Sequence, residues 1–446
     1  MTHDKTEEGL RMWAFETDPD FQAKLDWADE FMRTEVEPLQ YVINHPLDLN
    51  DPVRQELIPP LQEEVRRQGL WACHLGPELG GPGFGQVKLA LLNEILGRSG
   101  PGPTVGPIVF GCAAPDTGNA EILAHYGTHD QKAQYLKPLL DGTLFSAFSM
   151  TEPQGGSDPK TFTTSAVLDG DSWVISGEKW FSSNARWSEI LIVLAVTDPD
   201  APPFERMSMF VVPTTAPGVE FIRHVGVSGW VEGDGGGDHA YIRYNNVRIP
   251  KENILGGRGQ GFLVAQTRLS GGRVHHAMRS VGQMQAAFDM MCERVQSRFT
   301  QGEKLANKQL VQDMIAEAWI QIQQLRLFVL QTAWKIDKYN DYKVVRKDIS
   351  ASKILASRTL VDLASKALQI HGSLGISDEM PFVSMIVNGL HVGIADGPTE
   401  IHKVTIAREL LREVDGHDGL FPTQHIPTLA LQAQEKFAET LVRHGR

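Results

Sequence analysis

Several stretches of this 446-residue chain place side chains that could do chemistry. In Ser146-Ala147-Phe148-Ser149-Met150-Thr151-Glu152-Pro153-Gln154-Gly155-Gly156-Ser157-Asp158 an apolar run breaks into a polar turn. Pro153 fixes its own φ and has no N–H. Gly155 and Gly156 allow positive φ and a close backbone approach. Thr151, Ser157 and Asp158 set short polar groups beside exposed amides, a bend suited to an anion or the edge of a flat polar ring. Taken alone, it reads first as an ordinary Pro/Gly loop. Arg298 carries a planar fork that can hold phosphate with two hydrogen bonds, although a single arginine on a helix surface is ordinarily solvated. Asp396, in Ile394-Ala395-Asp396-Gly397-Pro398-Thr399-Glu400-Ile401-His402, sits where it would cap a helix starting near Pro398. Gly372 reads as a helix C-cap and His371 beside it as a partly buried structural histidine.

The elements that must position these groups follow from periodicity. Residues 21–45 carry apolar positions at helical spacing (Phe21, Leu25, Trp27, Ala28, Phe31, Met32, Val36), and Pro38 ends that pattern. A second helix spans 52–70 behind Asp51 and Pro52. Gly76–Gly83 is a rigid turn, and 86–97 and 115–140 read as further helices. After Phe145 the period changes. Ala166–Leu168 and Trp173–Ile175 form a hairpin across Asp169-Gly170-Asp171. Ile190–Val196, Met207–Pro213, Val219–His224 and Ala240–Arg248 are strands, which places a β-domain at about 146–250. Gly233–Asp238 is a flexible turn or a loop over a site. Beyond Ile254 helices return at 260–299, 307–338, 347–371 and 398–414. Leu310, Met314, Ala318, Leu325 and Phe328 make one stripe, and four long helices predict a bundle. Residues 416–446 are a tail with a helix after Pro427.

Composition narrows the function classes. The content is 41% hydrophobic and 22% charged, as in a soluble globular protein of two or three domains. A net charge of −13 gives no basic field for nucleic acid or anionic lipid, so a phosphorylated ligand needs local arginines. Cys73, Cys112 and Cys292 show neither CxxC nor pairing pattern, which predicts a reducing compartment and no zinc site. Ile190–Val196 is too short to span a bilayer. The acidic Met1–Glu8 stretch has no signal-peptide core and no Arg-rich transit pattern, so the expected location is cytoplasmic.

F-S-M-T-E-P-x-x-G-S-D at 148–158 resembles the flavin-contacting signature of the acyl-CoA dehydrogenase family, and the similarity runs from about Gly69 to Leu411. The resemblance implies a mainly α fold with a central β-domain: a helical N-terminal domain (1–145), a β-barrel-like middle domain (146–250) and a C-terminal four-helix bundle (251–415), followed by the 416–446 tail. It implies FAD contacted by Phe148, Met150, Thr151, Gly156 and Ser157. Gly177–Asn184 is similar to the second flavin segment, with Phe181 where the family packs a tryptophan and Ser183 as the hydroxyl near N5. Arg298-Phe299-Thr300-Gln301-Gly302 with Lys308-Gln309 resembles the segment that reaches a neighbouring subunit's FAD, with Gln301 replacing a phenylalanine. Gln369-Ile370-His371-Gly372-Ser373 is similar to Q-x-x-G-G, with Ser373 replacing the second glycine. Thr399 and Glu400 belong to the same implied cofactor set.

Most of the family has Y-E-G-T where this chain has Ala395-Asp396-Gly397-Pro398, and that glutamate takes the α-proton of the thioester. The resemblance therefore makes Asp396 the base, shorter than glutamate by roughly 1.5 Å. Its pKa is expected to rise as a bound acyl chain excludes water. The alternative base position of other members is Gly272 here. A-D-G-P with Arg268-Leu269-Ser270-Gly271-Gly272-Arg273 fits a minority group that handles long, branched or hydroxylated acyl chains. Ser157, Arg268, Ser270, Arg273 and Gly397 are the implied substrate-side residues, with Arg268 and Ser157 near the CoA arm. The implied reaction is α,β-dehydrogenation of an acyl-CoA to the trans-2-enoyl-CoA, with electrons passing to an electron-transfer flavoprotein from a homodimer or homotetramer. Alternatives are isomerisation or dehydration of a 4-hydroxy- or 4-phospho-acyl-CoA, an oxidase using O₂, and a catalytically silent binding partner.

Overall fold

The computed structural model describes residues 17–43, 46–98, 105–227 and 239–446, apart from the side chains at 79 and 269–271. The Met1–Glu8 stretch and the Gly233–Asp238 turn lie outside the described residues. Helix α1 (Pro19–Phe31) starts where the Asp18 carboxylate accepts the Phe21 amide, and it buries Phe21, Leu25, Ala28 and Phe31. Its α-ladder ends at Phe31, earlier than expected, and continues as a π-turn (Met32–Val36) and a 3-10 turn (Glu37–Tyr41). Pro38 offers no N–H to the preceding turn and its ring crowds the carbonyl there, so the ladder widens before it stops. Helix α2 (Pro52–Arg67) is capped by Asp51, which accepts from the amides of Val53 and Arg54. Helices α3 (Gly85–Leu96), α4 (Val105–Val109) and α5 (Asp116–Tyr126) follow. The single helix expected over 115–140 is broken at Gly127, which is extended, and restarts at the Thr128–Gln131 capping box.

Strands β1 (Ser146–Ser149), β2 (Ser165–Asp169), β3 (Ser172–Ser183), β4 (Ile190–Val196), β5 (Met207–Pro213), β6 (Val219–Val225), β7 (His239–Pro250) and β8 (Ile254–Leu255) form one sheet. The order is β6-β7-β3-β2-β4-β5-β8, with β1 parallel to β4. The β2–β3 hairpin turns at Gly170, φ +63°. Strand β4 is apolar throughout because both of its faces are covered. Ile190, Ile192, Leu194 and Val196 pack towards α5, while Leu191, Val193 and Ala195 join Trp173, Phe210, Ile242 and Tyr244 in a core that the sheet wraps around.

Helix α6 (Gly261–Ser297) leads through a small hairpin, β9 (Phe299–Thr300) and β10 (Glu303–Lys304), into α7 (Gln309–Tyr339) and α8 (Arg346–His371). The fourth member of the bundle is α9 (Phe382–Ile394), a helix that periodicity did not predict. Two glycines hid it by lowering its helix propensity. They also let α8 approach: a Cβ on Gly389 would stand 2.7 Å from Val361, and one on Gly393 2.6 Å from the Ser357 hydroxyl. Helix α10 (Thr399–Arg412), expected as the fourth member, buries only His402. The α7 stripe also shifts. Ala318, Ile322, Leu325, Val329, Thr332, Ala333 and Ile336 are buried, whereas Leu310 is 79% exposed. In the tail, α11 (Ile426–Lys436) and α12 (Ala438–Arg443) bury no residue. No helix among the described residues is long and apolar enough to cross a membrane.

One buried ion pair fixes the Thr151–Thr164 loop to the sheet. The Lys179 ammonium, fully buried on β3, donates to the Glu152 carboxylate and to the Met150 carbonyl, both at 2.8 Å. Glu152 also accepts from the amides of Thr163 and Thr164 at 2.7 and 2.9 Å. Burial alone would push the Glu152 carboxyl up, but Lys179 and these amides outweigh it and hold it at about 2. Burial pulls the Lys179 ammonium down to about 8 despite Glu152. The carboxylate is thus well satisfied, and the cost of the pair falls on the lysine. Lys179→Met, which strands a buried carboxylate, should lower stability by about 3–5 kcal/mol in urea unfolding. The Glu152 contribution should be complete above the ordinary carboxylate range and fade as pH falls through about 2, so acid unfolding of Glu152→Gln should show a shallower pH dependence.

Candidate active site

The two candidate flavin segments lie side by side because β1 and β3 share the inner core. Ser149 and Ser182 point inward with hydroxyls 2.9 Å apart, and Tyr244 donates to Ser149 at 2.9 Å. Alternation then turns Phe148, Met150 and Ser183 to the other face. A bulge between Lys179 and Ser182 breaks the register with β7, and Phe181 takes φ +51°. Both Trp180 and Phe181 consequently leave the core, their rings edge to face at 4.7 Å, with Phe181 38% exposed. The Trp180 amide donates to the Thr151 carbonyl at 2.9 Å, which joins the two segments directly. The Ser183 hydroxyl meets His239 Nδ1 at 2.8 Å.

Gly155 and Gly156 do not supply the positive φ expected of them. They supply space: a Cβ on Gly155 would lie 2.1 Å from the Thr161 hydroxyl, and one on Gly156 3.3 Å from Thr151. Gly156 and Ser157 are exposed at the loop tip, and Asp158 caps the short turn Pro159–Thr161.

Asp396 occupies the turn between α9 and α10. It does not cap α10, whose N-cap is Pro398 with no side-chain bond. Instead it adopts φ +54° and Gly397 φ +101°. Aspartate is among the few side chains that tolerate this left-handed region. Two cations hold the turn, a half-buried Arg273 and a buried Lys353. Arg273 donates through Nε and Nη2 to the Asp396 carbonyl at 3.2 and 3.0 Å. Lys353 donates to the carbonyls of Val392 and Gly397 at 2.6 and 2.8 Å. With the backbone clamped, the carboxylate faces Arg268, whose Nη1 lies 4.0 Å from Oδ1. A Cβ at Gly272 would meet nothing within 4 Å, so open space lies on this face of α6.

The local charge balance is positive. Burial pushes the Asp396 carboxyl up, but Arg268, His276, Arg273 and Lys353 together bring it below the ordinary range. The expected rise is therefore not a property of the unliganded chain. Burial drops His276, His402 and His239 to about 4, so at neutral pH they are uncharged. Burial also lowers His391, whose ring lies 6.2 Å from that of His239. Lys353 is lowered by burial to about 8.

Phe148, Met150, Thr151, Phe181 and Ser183 thus gather on one face of the β-domain. Phe148 carries the Arg268 guanidinium 4.0 Å above its ring, which links this face to Asp396. Thr399 closes the Asp396 turn through a bond to the Gly393 carbonyl at 3.2 Å, and Glu400 is exposed in the first turn of α10. The Ser270 side chain lies outside the described residues. Arg298, Gln309, Gln369, Gly372 and Ser373 are exposed elsewhere. Arg298 is thirty residues along the α6 direction from Arg268, roughly 45 Å, and Gln369 is sixteen from Lys353 on α8, about 24 Å. His371, near Gln369, senses Arg294 near Arg298, so this second group shares the far end of the bundle. Lys353, Asn119, His239, His276 and His391 were missed. Only Lys353 left a signal, a lysine at helical spacing among the buried Ile349, Ala356 and Leu360.

Three family models match the chain: acyl-CoA dehydrogenase N-terminal domain over 18–143, middle domain over 147–235 and C-terminal domain over 259–411. The Mycobacterium tuberculosis protein named "Probable acyl-CoA dehydrogenase FadE2" is 40% identical over 80% of this chain and 87% of its own length. Acyl-CoA dehydrogenase family member 11 of Gallus gallus is 38% identical over 79% of this chain, which spans 45% of that longer protein. A solved structure described as "Structure of a putative acyl-CoA dehydrogenase from Mycobacterium abscessus" superposes with TM-score 0.81 at 35% identity over 90% of this chain and all of its own. With its three domains matched in order and a relative of similar length at this identity, the chain belongs to the acyl-CoA dehydrogenase family of FAD-dependent oxidoreductases.

Proposed function

We propose that the chain oxidises an acyl-CoA thioester to the trans-2-enoyl-CoA, with Asp396 removing the α-proton. The observation that carries this reading is a part-exposed carboxylate on a clamped left-handed turn, set among three cations beside open space at Gly272. The residues fit the family's cofactor. An outward-turned aromatic pair, a backbone bond joining the two segments and a hydroxyl at Ser183 give an apolar-to-polar surface for a flat ring to pack against. FAD held against Phe148, Met150, Thr151, Phe181 and Ser183 would supply the acceptor for the β-hydride.

The protein's own groups do the rest. Neutral His239 with its proton on Nδ1 would donate to Ser183 and leave the Ser183 O–H free to donate outward. Arg268, Arg273 and Lys353 give a positive field that stabilises the enolate-like charge as the α-proton leaves. A bound acyl chain would strip water from Asp396 and lift its pKa towards the range a base needs. The stapled turn, rather than side-chain length, sets the reach of this shorter acid. Arg298, Gln309, Gln369, Gly372 and Ser373 are too far from Asp396 in one chain to serve the same cofactor, so in this reading they serve that of a second copy, in a homodimer or homotetramer. Electrons would leave to an electron-transfer flavoprotein, as the family resemblance implies.

Asp396→Asn should stay yellow with FAD but lose substrate-induced flavin bleaching by about 10²–10⁴-fold in stopped-flow absorbance, the usual contribution of a positioned base. Bleaching at the wild-type rate would remove Asp396 from that role. Lys353→Met should keep the flavin, lose about 2–3 kcal/mol of stability by orphaning two carbonyls, and slow bleaching about 10²-fold through misplacement of the turn. An unchanged rate would mean that the staple is not what places Asp396.

A further inference from the structure

We propose that Arg268 is the positioning residue of the Asp396 carboxylate: it aims the carboxyl group and keeps it ionised, in place of the CoA-arm role implied by the sequence. This inference rests on the reading of Asp396 as the base.

Arg268 is itself immobilised from three sides. Its Nε donates to the Asn119 amide oxygen at 2.9 Å. Its guanidinium lies 4.0 Å above the Phe148 ring, a cation–π contact that is stronger when desolvated. Its stem fills the space beside Gly118, where a Cβ would come within 2.8 Å of Arg268 Cγ. The side chain is 11% exposed, too enclosed to follow a flexible pantetheine arm. Held in this way, its Nη1 lies 4.0 Å from Asp396 Oδ1. An arginine cannot shed its proton in a protein, so this charge stays fixed whatever the pH.

The groups around the pair support the assignment. From α5, Asp116 and Glu121 also face Arg268. Burial raises both to about 7, and Asp116 is bonded to the amide and hydroxyl of Ser146 at 2.8 and 2.6 Å. Near neutral pH these two are partly protonated, which leaves Asp396 as the fully ionised partner. On the other side stand Arg273 and His276 of α6, Lys353 of α8, His391 of α9 and His402 of α10. Arg273 and Lys353 spend their hydrogen bonds on backbone carbonyls. Arg268 alone among these cations has its side chain paired with the carboxylate itself among the described ion pairs. Because Asn119 belongs to α5 and Phe148 to β1, the N-terminal and β-domains jointly aim a base carried by the bundle.

The test uses FAD-loaded enzyme. Arg268→Gln, Arg268→Lys and Asn119→Leu are compared with wild type by the pH dependence of acyl-CoA-induced flavin bleaching. The carboxyl-carbon NMR titration of residue 396 is read in parallel, assigned by its loss in Asp396→Asn. Arg268→Gln should move the acid limb and the NMR midpoint up by about one pH unit, and should slow bleaching at neutral pH by about tenfold. Arg268→Lys should restore the midpoint but not the rate, since the charge returns without the planar fork. Asn119→Leu, which keeps the charge and frees its anchor, should slow bleaching with little change in midpoint, and it decides the matter if Arg268→Gln fails to hold flavin. An unmoved midpoint in Arg268→Gln, or wild-type kinetics in Asn119→Leu, overturns the inference. If Asp396→Asn bleaches normally, the base assignment itself has failed; if Asp396→Asn is inert while the Arg268 variants behave as wild type, only this inference has.

Discussion

A left-handed turn pinned by two cations is the constraint on which the rest of the site depends. Asp396 lies at φ +54°, an uncommon conformation for a non-glycine residue that aspartate tolerates better than most, and Gly397 at φ +101°. Arg273 and Lys353 hold them by bonding to carbonyls on both sides of the turn. Burying Lys353 is costly, as the fall of its ammonium to about 8 shows. The return is a carboxylate whose backbone is held by the protein's own groups. Preorganisation of this kind is how a site places one short side chain within the narrow tolerance that proton transfer needs.

The same logic, a polar group buried so that its neighbour is exposed in one orientation, recurs on the β-domain. Lys179 and Glu152 are sealed inside. Tyr244, Ser149 and Ser182 form a buried hydroxyl chain one residue away from the outward positions. Locking the inner residues of β1 and β3 locks the outer ones by alternation, and the bulge at Trp180-Phe181 adds a second ring to the outer face. The bundle then divides its labour along its length. One end carries Asp396 with its cations, and the other carries Arg298, Gln309 and Gln369, out of reach of the first. Among the described residues, no single chain brings the two groups together.

Much of the fold was legible because it rests on local chemistry. The Asp51 cap, the Asp169-Gly170 hairpin and the apolar run of β4 are each written within a few residues. What was not legible depends on packing between distant segments. Helix α9 carries glycines that argue against a helix until α8 is placed against them. Leu310 fits a stripe by spacing yet faces outward, because its neighbour Val311 takes the place against the bundle core. At the site, the sequence pointed to Asp396, Phe148, Thr151, Phe181 and Ser183 through motif resemblance. It gave no sign that Asp396 would be left-handed and not a helix cap, or that Asn119 would anchor Arg268. Those facts belong to tertiary contacts separated by more than a hundred residues.

The central claim is that the Asp396 carboxylate abstracts the α-proton of a thioester, and it can be read without any net oxidation. In deuterated water, with a saturated acyl-CoA and no electron acceptor, the α-hydrogens of the substrate can be followed by mass spectrometry. The account predicts that the FAD-loaded enzyme exchanges them and that the same enzyme with asparagine at this position does not. Equal exchange by both proteins would contradict it.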